Sequence, residues 1–243
     1  MLVVEEVPDL PITRVSRWCF NCYVVTGDTE GLVVVDPGMP TIADDLAPLL
    51  TAQLTSVTAT HGHPDHISGA PLLASRHGAS IHVPATTLTY FDDTTPRTPS
   101  VAKLARTWPL LFGHPFDARA VIGFARGTAT AGFGTSRGMR WRGPRPTHPL
   151  EDGATLAGAS AWTVINTPGH TDDSVAFWHN DSHTLLSGDV VITMRGAARF
   201  APDTIDDVAA LKTAARLQSL PVEHLLPGHG LPIHALNVWA TRT

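Results

Sequence analysis

Residues 56–66 read SVTATHGHPDH, an apolar run typical of a buried strand, followed by a cluster of ligand-type side chains. This cluster places four potential metal ligands within six positions, namely His61, His63, Asp65 and His66. Burying such groups together is costly unless a cation compensates them. Imidazole and carboxylate groups suit zinc, and also iron or manganese. The segment therefore predicts a metal centre at the C-terminal end of a strand.

Outside this segment, strand-like runs recur with short helical patterns between them. The runs cover residues 32–38, 161–170, 175–179, 183–191 and 222–230. The last of them is expected to be the final strand. One helix is expected after His66 with its end at Gly78, and another over 204–217 with Thr204 as its N-cap. Alternating strands and helices favour an α/β fold, in which function concentrates at the carboxyl ends of the strands.

Further candidate ligands follow strand-like runs elsewhere in the chain. Asp36 lies in VVVDPG, His170 in TPGHTDDS, Asp189 in LLSGDVV and His229 in LPGHG. With residues 61–66, they resemble the ordered signature of the metallo-β-lactamase superfamily: a strand-ending Asp, H-x-H-x-D-H, a lone His, an Asp and a last His. The resemblance covers nearly the whole chain apart from residues 96–149.

This resemblance implies a four-layer αββα sandwich, one domain over residues 1–243, and two divalent metal ions. The implied ligand sets are His61, His63 and His170 for one ion and Asp65, His66 and His229 for the other, with Asp189 bridging both. Asp36 would orient the ligands from behind. Zinc is the expected metal, with iron or manganese as alternatives.

The implied chemistry is hydrolysis. Two ions a few ångströms apart can share a water and lower its pKa to about 7, so that a bridging hydroxide attacks the substrate without a protein nucleophile. Asp65 and Asp189 are the expected catalytic carboxylates, and Asp65 is the expected proton acceptor.

The substrate class follows from details of the same resemblance. True β-lactamases of this fold tend to have Cys or Ser where this chain has Asp189, so the chain resembles the glyoxalase II and lactonase branch. This favours a carboxylic ester, thioester or lactone. Only 14 residues follow His229, which argues against a glutathione-binding extension, and Ile192 stands where lactonases often have Tyr. The alternatives are a mononuclear iron enzyme like the persulfide dioxygenases, a phosphodiesterase or nuclease, and a metal-binding regulator without turnover.

Residues 96–149 differ from the rest of the chain and are interpreted as an inserted helical cap or lid. They hold nine basic residues and one acidic residue, a net charge of +8, which leaves −13 for the remainder of a chain of net charge −5. A helix is expected after Ser100, and Pro115 is expected to open a second helix through Phe124.

This segment also supplies the predicted substrate contacts. The apolar side chains expected to wall the pocket are Trp108, Leu111, Phe112 and Phe116. The side chains expected to bind an anionic group of the substrate are Arg137, Arg140, Arg142 and Arg145, because guanidinium groups bind carboxylate and phosphate bidentately. The alternative is that these arginines form only a solvated surface.

Composition limits the partners and the compartment. The chain has 243 residues, of which 43% are hydrophobic and 16% charged, as expected for a globular domain. Its net charge of −5 argues against nucleic acid or an anionic membrane, so a small-molecule substrate is the expected partner. The opening MLVVEEVPDL is acidic where a signal peptide is basic, and no run reaches about 18 apolar residues, which favours a cytoplasmic protein. No pattern indicates an oligomeric state.

Overall fold

Strands and helices alternate along the described chain, which comprises residues 1–92, 95, 97–133 and 138–240 of a computed structural model. The helices are α1 (Pro40–Leu46), α2 (Pro64–Ile67), α3 (Ala70–His77), α4 (Ala85–Thr89), α5 (Val101–Leu104), α6 (Trp108–Phe112), α7 (Ala118–Thr130) and α8 (Asp207–Gln218). The first nine strands are β1 (Leu2–Glu6), β2 (Ile12–Arg17), β3 (Phe20–Thr26), β4 (Leu32–Val35), β5 (Leu54–Thr58), β6 (Ser80–Pro84), β7 (Ala131–Phe133), β8 (Met139–Trp141) and β9 (His148–Leu150). The others are β10 (Thr155–Leu156), β11 (Ala159–Asn166), β12 (Val175–His179), β13 (Thr184–Gly188), β14 (Val191–Met194), β15 (Ala197–Phe200), β16 (His224–Pro227) and β17 (Ile233–His234).

Two larger sheets form the framework of the molecule. The first has the strand order β1-β2-β3-β4-β5-β6-β9, and the second has the order β10-β11-β12-β13-β16-β17. The pairs β7–β8 and β14–β15 form two small additional sheets.

Three apolar clusters show how these sheets and the helices are layered. Between the sheets, Tyr23 and Val35 of the first sheet share a buried cluster with Phe177 of the second. The opposite face of the first sheet packs on Ile42 of α1 and Leu73 of α3, and that of the second sheet packs on Leu217 of α8. The order helix, sheet, sheet, helix confirms the predicted four-layer α/β architecture.

Parallel pairing brings several carboxyl strand ends to one edge of this sandwich. β4 pairs in parallel with β5, and β13 pairs in parallel with β16. Two hydrogen bonds join the sheets at this edge, from Val175 N to Thr60 O (2.8 Å) and from Asn21 N to Gly228 O (2.9 Å). The loops that follow these strands therefore converge, as the α/β pattern predicts.

The helix expected after His66 is present as two helices, α2 and α3. It ends where the sequence predicts, because Gly78 adopts φ +69°, a left-handed conformation that favours glycine, and its N–H donates to Ala74 O at 2.9 Å.

Three helix and strand boundaries differ from the expectations. α8 begins at Asp207 rather than Thr204, since the Asp206 carboxylate accepts hydrogen bonds from Val208 N and Ala209 N, both at 2.9 Å. In the same way Asp117 caps α7, which begins at Ala118, so Pro115 does not open this helix as expected. β16 is not the last strand, because β17 returns antiparallel beside it.

Within the segment interpreted as a cap, α7 packs closely on the core. A Cβ added at Gly123 would lie 2.1 Å from Thr41 Oγ1, and one added at Gly127 would lie 2.3 Å from Ser68 Oγ. The ammonium group of Lys103, which lies in α5, donates to Thr204 O at 2.9 Å. At the end of the segment, β9 joins the first sheet beside β6.

Among the helices of the described residues, none has the length and apolar character that crossing a bilayer requires.

Candidate metal centre

The seven side chains predicted as ligands come together at the strand-end edge. They form two groups, one of His61, His63, His170 and Asp189 and one of Asp65, His66 and His229. Within each group, one potential ligand atom per residue lies within 4.8 Å of the others. In the described part of the chain, these two are the groups in which three or more His, Cys, Asp or Glu side chains could hold a metal ion.

Local sequence explains how residues 61–66 reach this position. β5 ends at Thr58, and Pro64 occupies the first turn of α2, where its missing N–H is tolerated. His66 N and Ile67 N both donate to His63 O at 3.0 Å. Asp65 and His66 are therefore presented by a helical turn, whereas His61 and His63 are presented by the preceding loop.

Asp189 is presented by a sharp turn rather than by the continuous strand expected over 183–191. β13 ends at Gly188, which has φ +50°, and β14 begins at Val191. A Cβ at Gly188 would lie 2.4 Å from Thr60 Oγ1. Glycine is therefore required there by both conformation and space, and the turn directs Asp189 between the two groups.

In the first group, three imidazole nitrogens converge. His63 Nδ1 lies 2.8 Å from His61 Nε2 and 3.1 Å from His170 Nε2. Asp189 Oδ2 lies 3.5 Å from His170 Nε2 and 3.9 Å from His61 Nε2. All four side chains are buried or nearly so.

The second group meets the same carboxylate. His229 Nε2 lies 3.1 Å from Asp189 Oδ2 and 3.3 Å from Asp65 Oδ2. His66 Nε2 lies 3.2 Å from Asp189 Oδ1. Asp189 thus faces both groups, which is the arrangement a bridging ligand requires.

These distances fit metal ligands. Donor atoms about 2.0–2.2 Å from one ion at tetrahedral angles lie roughly 3.3–3.6 Å apart, and the observed separations bracket that range. His66 Nε2 and Asp189 Oδ1 are buried without a hydrogen bond of good geometry to the described residues. A Cβ at Gly228 would lie 2.6 Å from His66 Cε1 and 2.7 Å from Asp189 Oδ1, so glycine keeps this space open.

The electrostatics of the two groups differ. Burial and the neighbouring His170 lower the pKa of His63 to about 4, and burial with the adjacent imidazoles lowers the pKa of His61 well below its usual range. His61 and His63 are therefore neutral imidazoles, the form that binds a metal ion. Burial also acts to lower the pKa of His170, but Asp203 and Asp189 together outweigh it and raise that pKa. Burial also acts to lower the pKa of His66 and His229, but the carboxylates beside them together outweigh it and raise both pKa values: Asp189 with Asp36 for His66, and Asp189 with Asp65 for His229.

Asp36 lies behind the second group, where it was predicted to orient ligands. Its carboxylate accepts hydrogen bonds from Thr60 N at 2.7 Å and Thr60 Oγ1 at 2.9 Å. It also lies 2.9 Å from His66 Nδ1, which leaves His66 Nε2 facing Asp189. This contact fixes the ring orientation that ligation needs.

Two aspartates beside the site were not singled out from the sequence. Asp203 O lies 3.0 Å from His170 Nδ1 and orients that ring. Asp173 Oδ2 accepts from Gly62 N at 3.0 Å and from Thr87 Oγ1 at 2.6 Å, and burial raises the pKa of Asp173 to about 6. The only sequence signal for Asp173 is its place in the TPGHTDDS motif, three residues after His170.

Arg97 also lies beside the first group and was not singled out from the sequence. Its guanidinium lies 3.4 Å above the Tyr90 ring centroid and 3.4 Å from Asp172 Oδ2. Its backbone carbonyl lies 3.3 Å from His63 Nε2, so it accepts from that nitrogen when His63 Nδ1 faces the metal group.

We expect Arg97→Ala to weaken metal binding at the first group by about tenfold, because the carbonyl that orients His63 loses its anchor. Competition titration with a chelator measures this, and the affinity of the second group should not change. Arg142→Ala, at an exposed position of the same segment, is the matched control. Equal weakening at both groups would contradict the assigned contact.

A cavity of about 200 Å³ opens onto the metal ligands. Leu111 lines it as predicted, but Trp108 and Phe112 do not. These two side chains are 59% and 85% exposed and border a separate surface groove, because they lie four residues apart on the outer face of α6. Phe116 is also exposed, at 69%.

The arginines predicted to bind an anionic group are not brought to this cavity within the described residues. Arg140, Arg142 and Arg145 are absent from its described lining, and the Arg145 guanidinium lies 5.2 Å from the Phe91 ring centroid. Arg137 lies outside the described residues.

Comparisons with known proteins agree with this geometry. The family model described as "Metallo-beta-lactamase superfamily" matches residues 21–229. A protein of Bacillus subtilis (strain 168), "Probable metallo-hydrolase YflN", is 24% identical over 249 aligned positions, which cover 89% of this chain and 83% of that protein. The "Uncharacterized protein ML0493" of Mycobacterium leprae (strain TN) is 29% identical over 178 positions, covering 70% and 67%.

Solved structures show the same fold. The structure of TTHA1623 in a di-iron-bound form has a TM-score of 0.61 at 24% identity and covers 93% of this chain and 95% of its own. The BLEG-1 B3 metallo-beta-lactamase has a TM-score of 0.61 at 20% identity, covering 96% and 94%. Since the family model spans most of the sequence and both ligand groups, the chain belongs to the metallo-beta-lactamase superfamily.

Proposed function

We propose that this protein is a dinuclear metal-dependent hydrolase that cleaves a carboxylic ester, thioester or lactone. The observation that carries the proposal is the position of Asp189 between two ligand groups at the floor of a cavity. Ions bound by the two groups would lower the pKa of a water and polarise the substrate carbonyl.

The chain's own residues have separate roles in this proposal. Asp189 holds the two groups at a fixed separation, and Asp36 and Asp203 fix the rings of His66 and His170. Asp65 lines the cavity, where its carboxylate can accept a proton. Burial raises its pKa, but the hydrogen bond with His229 and the nearby imidazoles lower it to about 2, so Asp65 is ionised at neutral pH.

Zinc is the proposed metal, with iron and manganese as alternatives. The similar TTHA1623 structure is described as di-iron-bound. The protein should therefore be tested with iron as well as with zinc and manganese. The proposed partner is a small molecule rather than a nucleic acid. The described lining of the cavity holds no Lys or Arg to bind a phosphodiester backbone, which favours an ester over a phosphodiester substrate.

Metal removal tests the proposal. We expect about two ions per chain by elemental analysis, loss of ester cleavage on chelation, and recovery with zinc, manganese or iron, because seven ligands form two groups. The panel should contain lactones, aryl esters, acyl-CoA thioesters, β-lactams and a phosphodiester.

Three results would count against the proposed hydrolase function. One is less than one ion per chain together with unchanged metal content in His61→Ala. Another is dominant phosphodiester cleavage, which would favour the nuclease alternative. The third is oxygen consumption with a persulfide in an iron-loaded sample containing one ion, which would favour the dioxygenase alternative.

A further inference from the structure

The cavity over the metal ligands has two chemically distinct parts. Its floor is formed by the ligand residues, and Asp203 adds a further carboxylate beside His170. Its walls are formed by apolar side chains from the core and from residues 101–133, namely Phe20, Leu104, Leu110, Leu111, Phe124 and Phe133, joined by Ile192. A reacting polar group would thus occupy the floor while the remainder of the substrate meets apolar walls.

These walls are held in place by their neighbours. Phe133 N donates to Gly62 O at 3.0 Å, and its ring packs edge-on against His63 with 5.0 Å between centroids. Phe20 packs edge-on against His229 at 5.2 Å. The carbonyl of Leu111 accepts from Trp18 Nε1 at 2.8 Å, which fixes the end of α6. The apolar wall therefore begins at the ligand rings themselves.

Two polar residues of the wall have their hydroxyl protons engaged within the protein. The hydroxyl of Thr107 donates to Leu104 O at 2.7 Å, and that of Thr128 donates to Ala125 O at 2.9 Å. Both hydroxyl protons are thus used within their own helical turns, so neither is available to donate to a carboxylate in the cavity.

The nearby cations of the same segment are engaged elsewhere. The Lys103 ammonium binds Asp207 at 2.6 Å and Thr204 O, and the Arg97 guanidinium lies over Tyr90. The described lining holds no Lys or Arg. An anionic group placed against these walls would lose its hydration without gaining a Lys or Arg partner from the described lining.

We propose that the cavity binds an uncharged alkyl or acyl group of about seven non-hydrogen atoms, with the scissile carbonyl at the ligand floor. The size follows from 200 Å³ of cavity and about 30 Å³ for each water-sized group. This assignment rests on the proposed hydrolase function and narrows its substrate to esters, thioesters or lactones with an apolar acyl side, in place of the anionic substrate expected from the arginines.

A homologous series of aryl esters with straight acyl chains tests the assignment in the metal-loaded protein. kcat/KM should rise about fourfold per added methylene, the value for transfer of one CH₂ group, and should level off at about seven non-hydrogen atoms. Replacing the terminal methyl group by a carboxylate should lower kcat/KM by about 30-fold.

A pair of adjacent substitutions provides the matched control. Leu111→Arg places a cation in the wall, and it should raise kcat/KM for the carboxylate-terminated ester about tenfold while lowering that for the alkyl ester about tenfold. Phe112→Arg adds the same charge one residue away at a position 85% exposed and outside the cavity, and it should change neither value.

Binding of 1-butanol and 1-hexanol, followed by titration calorimetry, gives a readout that does not need turnover. 1-Hexanol should bind about 15-fold more tightly than 1-butanol, with a negative heat-capacity change, in the wild type and Phe112→Arg but not in Leu111→Arg.

The outcomes separate the two proposals. Metal-dependent cleavage that is independent of chain length, or that favours the carboxylate ester, overturns the apolar assignment alone. Absence of metal-dependent cleavage with graded alcohol binding overturns the hydrolase function and leaves the apolar site supported. Absence of both cleavage and alcohol binding overturns both.

Discussion

Asp189→Ala is expected to lower turnover by at least about 10³-fold and to reduce metal content at both groups. Its Oδ1 faces the second group, 3.2 Å from His66 Nε2, and its Oδ2 faces both groups, 3.1 Å from His229 Nε2 and 3.5 Å from His170 Nε2. Loss of this carboxylate removes a shared ligand and leaves the imidazoles without a compensating charge. Metal ions contribute several kcal/mol to transition-state stabilisation, and each 1.36 kcal/mol corresponds to a factor of ten in rate. Elemental analysis and single-turnover rates measure both effects.

Asp65→Ala is the comparison that isolates the bridging role. Asp65 Oδ2 approaches His229 at 3.3 Å and His66 at 3.9 Å, and Asp65 belongs to the second group alone. We therefore expect this variant to keep about one ion per chain, held by the first group, and to lose the proposed proton acceptor. Full metal content and an unchanged rate in Asp189→Ala would show that the carboxylate does not bridge.

The ligand cluster could be predicted because its chemistry is local in sequence. Four of the seven candidates lie within residues 61–66, and the others each follow a strand-like run. Parallel strands end at a common edge, so these positions had to converge once the sheets formed. Asp173 and Arg97 could not be found this way, because each acts through a contact with a segment distant in sequence. Gly62, for example, is 111 positions from Asp173.

The sequence pattern does not determine which face of the segment around α6 points towards the metal ligands. In one continuous helix Leu104 and Leu111, seven residues apart, would share one face, whereas Trp108 and Phe112, four residues apart, would share another. Both stripes are apolar, so periodicity alone does not select the one that faces the metal ligands. The structure places Leu104 and Leu111 at the cavity and leaves Trp108 and Phe112 exposed. The number of charges in a segment does not show where its side chains point. The excess of basic residues in 96–149 therefore led to the prediction that its arginines line the pocket.

Asp36→Ala is expected to destabilise the fold by about 3–5 kcal/mol, the range for removing one partner of a buried ion pair, here that of Asp36 with His66. Asp36 is 2% exposed and accepts from Thr60 N and Thr60 Oγ1 while it orients His66 Nδ1. Alanine leaves all three groups buried without this acceptor. It must also adopt φ +50°, which aspartate tolerates better than alanine. Urea unfolding of the metal-free protein measures this effect separately from metal binding.

Two control variants, Asp36→Asn and Asp44→Ala, show whether the loss of stability comes from the buried contacts of Asp36. Asparagine keeps the side-chain volume and one acceptor oxygen, so its loss of stability should be smaller than that of Asp36→Ala. Asp44 pairs with Arg76 at 2.8 Å, but both side chains are nearly half exposed, and removing this pair should change stability by less than about 1 kcal/mol. Because His66 belongs to the second group alone, Asp36→Ala should also weaken metal binding there more than at the first group. If Asp36→Ala and Asp44→Ala unfold with the same free energy, the contact to Thr60 and His66 does not stabilise the fold.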